Sequence, residues 1–290
     1  MSTLAPIEAP GALARALVWL RRDRVSLVAA GVVALLALAS LVGPPLARLA
    51  GYLPETQDLA LGATPPSLVH WLGTDYLGRD LCVRVLTGMR TSLVVGTGAA
   101  TLAALVGTLY GALAAWAPER AGRLLMRGVD VLYGLPYPFI VLVLASALGP
   151  SLVLMLVALG LVGWLGTARL VYAEVRRLAA RDFVVAARAL GMGEARLLGR
   201  HVLPNVLGVI VVSLTLAVPA MVLQEAFFSF LGLGVQPPAP SLGLLVADGA
   251  AQVSVFWWTL AAPAGLTAVL LVALQVLGDG VRDALDPRAR

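Results

Sequence analysis

The chain has 290 residues, of which 60% are hydrophobic and only 13% charged, and its mean hydropathy is +0.91. Soluble domains carry about 25% charged residues, so this composition excludes an ordinary water-soluble fold and puts the chain in a membrane. The net charge of +5 comes from 21 arginines and no lysine, which excludes a Walker A nucleotide loop, and the single cysteine, Cys82, excludes an internal disulfide or a CxxC metal knot.

Residues 1–24 form a polar lead with Arg15, Arg21, Arg22 and Arg24. Val25 to Val42 is the first apolar run, barely long enough to span a bilayer. Ala37-Leu38-Ala39 resembles a signal-peptide cleavage site, but the lead is long for such a peptide, so a retained helix over 25–47 is expected, ended by Gly43-Pro44-Pro45. Residues 48–91 form a mixed polar segment rich in proline and glycine, closing with the amphipathic piece Leu81 to Arg90. The rest, 92–290, is predicted to be a five-helix core.

Ser92 to Ala117 is the second span and contains Gly107-x-x-x-Gly111, a spacing that permits close helix approach. A basic loop, Glu119 to Arg127, leads to the third span, Val129 to Leu148, which carries Pro136 and Pro138. These prolines free backbone groups, either at a kink packed within the bundle or at a break lining a pathway. Gly149-Pro150 turns into the fourth span, Ser151 to Ala168, whose Gly160, Gly163 and Gly166 give it a small-residue face. Val206 to Phe228 is the fifth span, Ser229 to Ser254 a Gly/Pro-rich loop, Val255 to Leu277 the sixth span with Pro263, and Gly278 to Arg290 a tail.

Between the fourth and fifth spans lies 174–205, the longest polar interruption in the C-terminal half. With Arg169 it carries seven arginines, and burying them at a membrane centre would cost on the order of 20 kcal/mol. The segment is nevertheless ordered. Phe183, Ala186, Ala187 and Leu190 fall at i, i+3, i+4 and i+7, one stripe of a short helix. Gly191 and Gly193 break that helix, a second helical run follows, and Pro204 precedes the next apolar block. A helical hairpin with an apolar stripe at a membrane surface implies something to dock against.

Six spans put both termini on one side. The lead, the 119–127 loop, the hairpin and the tail hold 17 of the 21 arginines, so the positive-inside rule makes them cytoplasmic. Two histidines, His70 and His201, leave little for a metal or catalytic centre, and a triad would have to recruit them from opposite sides of the membrane. No cofactor or metal is expected. The basic balance sits in inter-span loops, where orientation signals belong, and does not imply nucleic acid. Glu225 is the one acidic residue deep in a nominal span, about 28 Å along it, where it is either an interfacial carboxylate solvated or capped by the following loop or a solute contact. Asp130 is expected to be a first-turn charge facing the cytoplasm.

Several stretches then resemble one family. Asp182-Phe183-Val184-Val185-Ala186-Ala187-Arg188-Ala189-Leu190-Gly191, followed by His201-Val202-Leu203-Pro204-Asn205, is similar to the cytoplasmic EAA loop of ABC-importer permeases. Leu72-Gly73-Thr74-Asp75-x-Leu77-Gly78-Arg79-Asp80, the run Glu225 to Pro238, and Leu277 to Arg288 narrow the resemblance to the dipeptide/oligopeptide/nickel group and its C-type subunit. The resemblance implies an all-α integral membrane protein of the type I importer fold: six transmembrane helices, N-in/C-in, with a cytoplasmic coupling-helix hairpin. It implies a bacterial inner-membrane location and four kinds of surroundings: a second permease subunit, expected as a heterodimer, two separate ATP-binding subunits, an extracytoplasmic solute-binding protein and the lipid bilayer. The implied solutes are di- and oligopeptides, with nickel chelates or another small solute as the alternative. An ion-coupled secondary transporter would require midplane ionisable residues and inverted repeats, and neither is seen. Carried onto this chain, the coupling residues are Asp182, Phe183, Ala186, Ala187, Arg188, Gly191, Leu203 and Pro204. Pro136, Pro138 and Glu225 are candidates for the pathway or a gate. One position departs from the family: Val185 stands where a glutamate usually precedes the two alanines, leaving docking to the apolar stripe and to arginines such as Arg188.

Overall fold

The long apolar runs become helical, one of them broken in two, and most extend past the ends that composition suggests. The computed structural model describes residues 23–149 and 151–285. Most of the predicted lead, with Arg15, Arg21 and Arg22, lies outside the described residues, as do Pro150 of the predicted turn and the end of the tail, 286–290. Among the described residues the regular structure is helical, apart from one antiparallel bridge between Thr74 and Asp80.

Helix α1 (Arg24–Leu49) starts where the Asp23 carboxylate accepts the Val25 and Ser26 amides, and it runs through Pro44 and Pro45 instead of ending there. In an apolar medium no water offers to take up freed backbone groups, so continuing the helix is cheaper than leaving it. Helix α2 (Leu81–Trp116), capped by Asp80, fuses the predicted amphipathic piece and the second span into one 36-residue helix. The predicted basic loop is itself helical, α3 (Glu119–Tyr133). It meets α4 (Tyr137–Leu148) at a 76° bend, so the third span is a broken pair. Pro136 and Pro138 are therefore not interior kinks. They stand at the start of α4, where a missing N–H leaves no helical bond unmade.

Ser151 caps α5 (Leu152–Ala179), which runs on past Ala168 as the arginines begin. The hairpin follows as α6 (Asp182–Ala189) and α7 (Glu194–Leu197), and a π-helical turn, Leu198–Val202, leads into α8 (Leu203–Phe230). The predicted Ser229–Ser254 loop contains a ninth helix, α9 (Leu242–Ala250), capped by Ser241. Helix α10 (Trp258–Leu285) takes in Pro263 and the first half of the predicted tail. Among the described residues five helices, or six if the bent pair counts as one, are long and apolar enough to cross a membrane.

Helix α2 is the central post. It packs along α5 and also against α8, α1 and α9, while α10 closes on α8, α9 and α1. The α2–α5 contact is backbone-close at the predicted GxxxG: a Cβ on Gly107 would lie 2.7 Å from the Trp164 carbonyl, and one on Gly111 2.4 Å from that of Ala168. The core has three parts. Val95, Ala99, Ala103, Leu159 and Met221 fill the middle; Leu81, Val85, Met89, Leu242 and Leu270 fill one end; Val171, Val175, Val184, Leu197 and Val202 fill the other. That third cluster roots the hairpin.

Candidate functional site

Helix α6 is only eight residues long, too short to persist in isolation, and tertiary packing holds it. Val184 is fully buried and drives between Val171, Val175 and Leu178 of α5 and Leu197, Val202 and Val206 beyond the turn. It is the residue that the sequence pattern missed. The stripe Phe183–Ala186–Leu190 turns the other way and stays open, with Leu190 89% exposed; only Ala187 is half-buried. Val185 is exposed beside it.

The turn closes at Gly191, whose φ of +85° favours glycine. Its amide donates to the Arg188 carbonyl at 3.0 Å and the Met192 amide to that of Ala187 at 3.2 Å, the paired bonds of a Schellman ending. Arg188 grips both carboxylate oxygens of Glu194 at 2.7 and 3.1 Å, and its guanidinium lies 5.7 Å from the centre of the Trp116 ring. The clasp ties α6 to α7 and to the end of α2. Neither Glu194 nor Trp116 stands out in the sequence, because their roles exist only once the chain has turned. Substituting Glu194→Gln is expected to speed amide hydrogen exchange at Gly191 and Met192 by a few fold, leaving α5 unchanged; unaltered exchange at both would show that the clasp does not hold the turn.

Asp182 is exposed in the first turn of α6, where a negative charge suits the helix dipole. Leu203 is half-buried and Pro204 exposed at the start of α8, and Asn205 Nδ2 donates to the His201 carbonyl at 2.6 Å. The predicted coupling residues thus share one end of the bundle, with α5 and α8 leaving it directly. Beside them is a cleft of about 780 Å³ between α5, α8 and α10, with Glu174, Arg177, Asn205, Ser213 and Arg282 on its walls.

The other predicted positions lie elsewhere. Asp130 is in the last turn of α3, not a first turn. It pairs with Arg169 at 2.7 Å, and that guanidinium sits 4.2 Å from the centre of the Tyr133 ring. The arginine offsets a carboxylate at a helix C-terminus, where the dipole disfavours it. Pro136 is exposed at the bend, and Tyr137 next to it packs edge-on against Phe228 of α8. Glu225, one turn before Phe228, is fully buried and accepts from Ser229 Oγ at 2.6 Å, so it is capped at the start of the predicted Ser229–Ser254 loop and not solvated.

Residues 107–290 match the family described as "Binding-protein-dependent transport system inner membrane component". The dipeptide transport system permease protein DppC of Bacillus subtilis is 40% identical over 94% of this chain and 85% of its own length. The oligopeptide transport system permease protein OppC of Escherichia coli K12 is 41% identical over 92% of this chain and 88% of its own length. The di/tripeptide transport system permease protein DppC of Pseudomonas aeruginosa is 39% identical over 83% of this chain and 82% of its own length.

Proposed function

Since the chain belongs to the family of binding-protein-dependent inner-membrane transport components, we propose that it couples peptide import to ATP hydrolysis on separate subunits through its α6–α7 hairpin. It is a permease subunit of a peptide importer of the ATP-binding-cassette class. In this reading it crosses the bacterial inner membrane six times, the bent α3–α4 pair counting as one span. Both termini and the hairpin face the cytoplasm, as the arginine distribution requires. A second permease subunit completes the pathway, two ATP-binding subunits dock beneath, and an extracytoplasmic binding protein delivers the peptide. The division into a lead, a first span over 25–47, an outer segment over 48–91 and a five-helix core with the coupling loop 174–205 goes with this topology, adjusted to the helix ends above.

One observation carries the coupling assignment. Val184 anchors α6 in the core while Phe183, Ala186 and Leu190 stand exposed beside it. Apolar side chains presented on a short, rooted helix suit a groove on a partner, and a push on that helix is passed rigidly to α5 and α8. Asp182, Phe183, Ala186 and Gly191 belong to the presented surface. Ala187, Arg188, Leu203 and Pro204 shape it from behind, Arg188 through its clasp on Glu194. A photo-crosslinking amino acid at Leu190 is expected to capture an ATP-binding subunit when the whole importer is expressed. Capture no greater than from Val94, which is exposed near the middle of α2, would overturn the assignment.

A further inference from the structure

The opposite end of the bundle holds a charge cluster that the hairpin does not use. The turn Thr74–Asp80 closes by the Asp75 amide donating to the Arg79 carbonyl and the Arg79 amide to Asp75 Oδ1, both at 3.1 Å, and Trp258 Nε1 donates to the Thr74 carbonyl at 3.1 Å. The Asp75 carboxylate accepts from Arg79 Nε at 2.7 Å and from Arg84 of α2. Arg84, only 2% exposed, also reaches Asp248 in the last turn of α9. His70 meets Asp80 at 2.7 Å beneath the same turn.

Helix α9 occupies a slot cut to its backbone. A Cβ on Gly243 would fall 2.1 Å from the Ala226 carbonyl of α8. At its N-terminus, deep between the spans, Ser92 Oγ accepts the Leu242 amide at 3.2 Å and Ser241 Oγ the Leu244 amide at 3.3 Å. The Glu225 carboxyl is buried against these same two serines, and its Oε2 has no hydrogen-bond partner among the described residues. A carboxyl at this place faces the positive end of the α9 dipole, which holds it there without a cation.

The two ends of α9 are therefore held differently. At the inner end Ser92, Ser241 and Glu225 are all fully buried, so separating their polar groups is costly. At the outer end the Arg84–Asp248 contact is 3.7 Å, longer than a hydrogen bond, and Asp248 is 36% exposed. Burial pushes the Asp248 carboxyl up, against the pull of Arg84 and Arg79 and with the like charge of Asp75 adding to the push. If Asp248 swings away into water, Arg79 and Arg84 still keep Asp75. The link is built to break at modest cost.

We propose that α9 is an outer gate of the solute pathway, with Glu225 as the fixed pin at its inner end and Arg84–Asp248 as the releasable latch at its outer end. Glu225, Arg84 and Asp248 are positioning residues. They act by setting where α9 stands, and the proposal rests on the permease reading.

The test uses the complete importer in lipid nanodiscs, with Cys82→Ser as background and spin labels at Leu59, exposed in the segment before the Thr74–Asp80 turn, and at Ala251, exposed just past α9. Distance distributions are recorded without nucleotide and after trapping with ATP, vanadate and peptide-loaded binding protein. The trapped state is expected to show a separation several ångströms different from the resting one. D248N is expected to move the resting distribution towards the trapped one and to raise ATP hydrolysis without binding protein severalfold, while D248E behaves like the parent. Peptide uptake into proteoliposomes by the labelled importer keeps the two readings apart. Uptake with identical distributions in both states, or with D248N matching the parent in distance and hydrolysis, overturns the gate. No uptake from the unlabelled C82S importer overturns the permease reading, and the gate with it.

Discussion

Replacing Phe183 with aspartate is expected to abolish peptide-stimulated ATP hydrolysis and to cut uptake by more than about tenfold, while the protein still inserts and folds. The expectation follows from where the ring points. Phe183 is 46% exposed on the face of α6 away from Val184, so a carboxylate there meets water and disturbs no core contact. Its harm arises only at docking, when a charge would enter an apolar groove. An aromatic anchor at an interface is worth about 2–4 kcal/mol, or roughly 30- to 700-fold in affinity, before the desolvation of the new charge is added. Val184→Asp would look the same in an uptake assay for a different reason, since it opens the root of the hairpin. Thermal unfolding in detergent separates them: F183D should melt with the parent, and V184D well below it. Normal stimulation of hydrolysis in F183D would sink the docking assignment.

The long apolar helices are legible because hydropathy is a one-dimensional signal, and the hairpin because seven arginines cannot enter a bilayer. What escaped were features made by residues far apart in the chain. Arg84 and Arg90 made Leu81–Arg90 look like a piece separate from the second span. Arg84 is tolerated inside α2 only because Asp75 and Asp248 come to it, and no local pattern announces that meeting. Helix α9 hid in a stretch rich in glycine and proline, where glycine serves not to turn the chain but to let α8 approach. Counting rise along one helix gives the depth of Glu225 but not its burial; the serines that enclose it come from α2, α8 and the start of α9. Within the hairpin, the stripe Phe183–Ala186–Leu190 faces outward, and the anchor is Val184, on the other side of the helix and outside the stripe's spacing. Both the anchor and the presented surface were apolar, and composition alone does not say which side has a partner. The missing glutamate at position 185 also finds a physical context: Arg188 is already engaged by Glu194, so the hairpin keeps its shape without an acid there.

The charge cluster around Asp75 yields the largest expected effect on stability, with a definite order among its members. Asp75, Arg79 and Arg84 are all buried, and among the described residues Asp75 is the carboxylate with which both arginines form ion pairs. Asp75→Asn keeps an oxygen for the Leu77 and Arg79 amides that Oδ1 now accepts at 2.9 and 3.1 Å, so the turn survives and only the charge is lost. Two buried guanidinium groups then face one another, balanced only by the half-exposed Asp248, and the expected loss is about 3–5 kcal/mol. Arg84→Met should cost less, about 1–3 kcal/mol, because Asp75 keeps Arg79, Asp248 reaches water, and the buried Nε of Arg84 has no partner to lose. Denaturant unfolding followed by tryptophan fluorescence, with Trp258 bonded to the same turn, measures both. An Arg84→Met loss equal to or greater than that of Asp75→Asn would show that Asp75 is not the centre of the network. Replacing all three charges by apolar groups of similar volume should recover much of the loss, since the damage in Asp75→Asn comes from arginines left without a counter-charge and not from the absence of ion pairs as such.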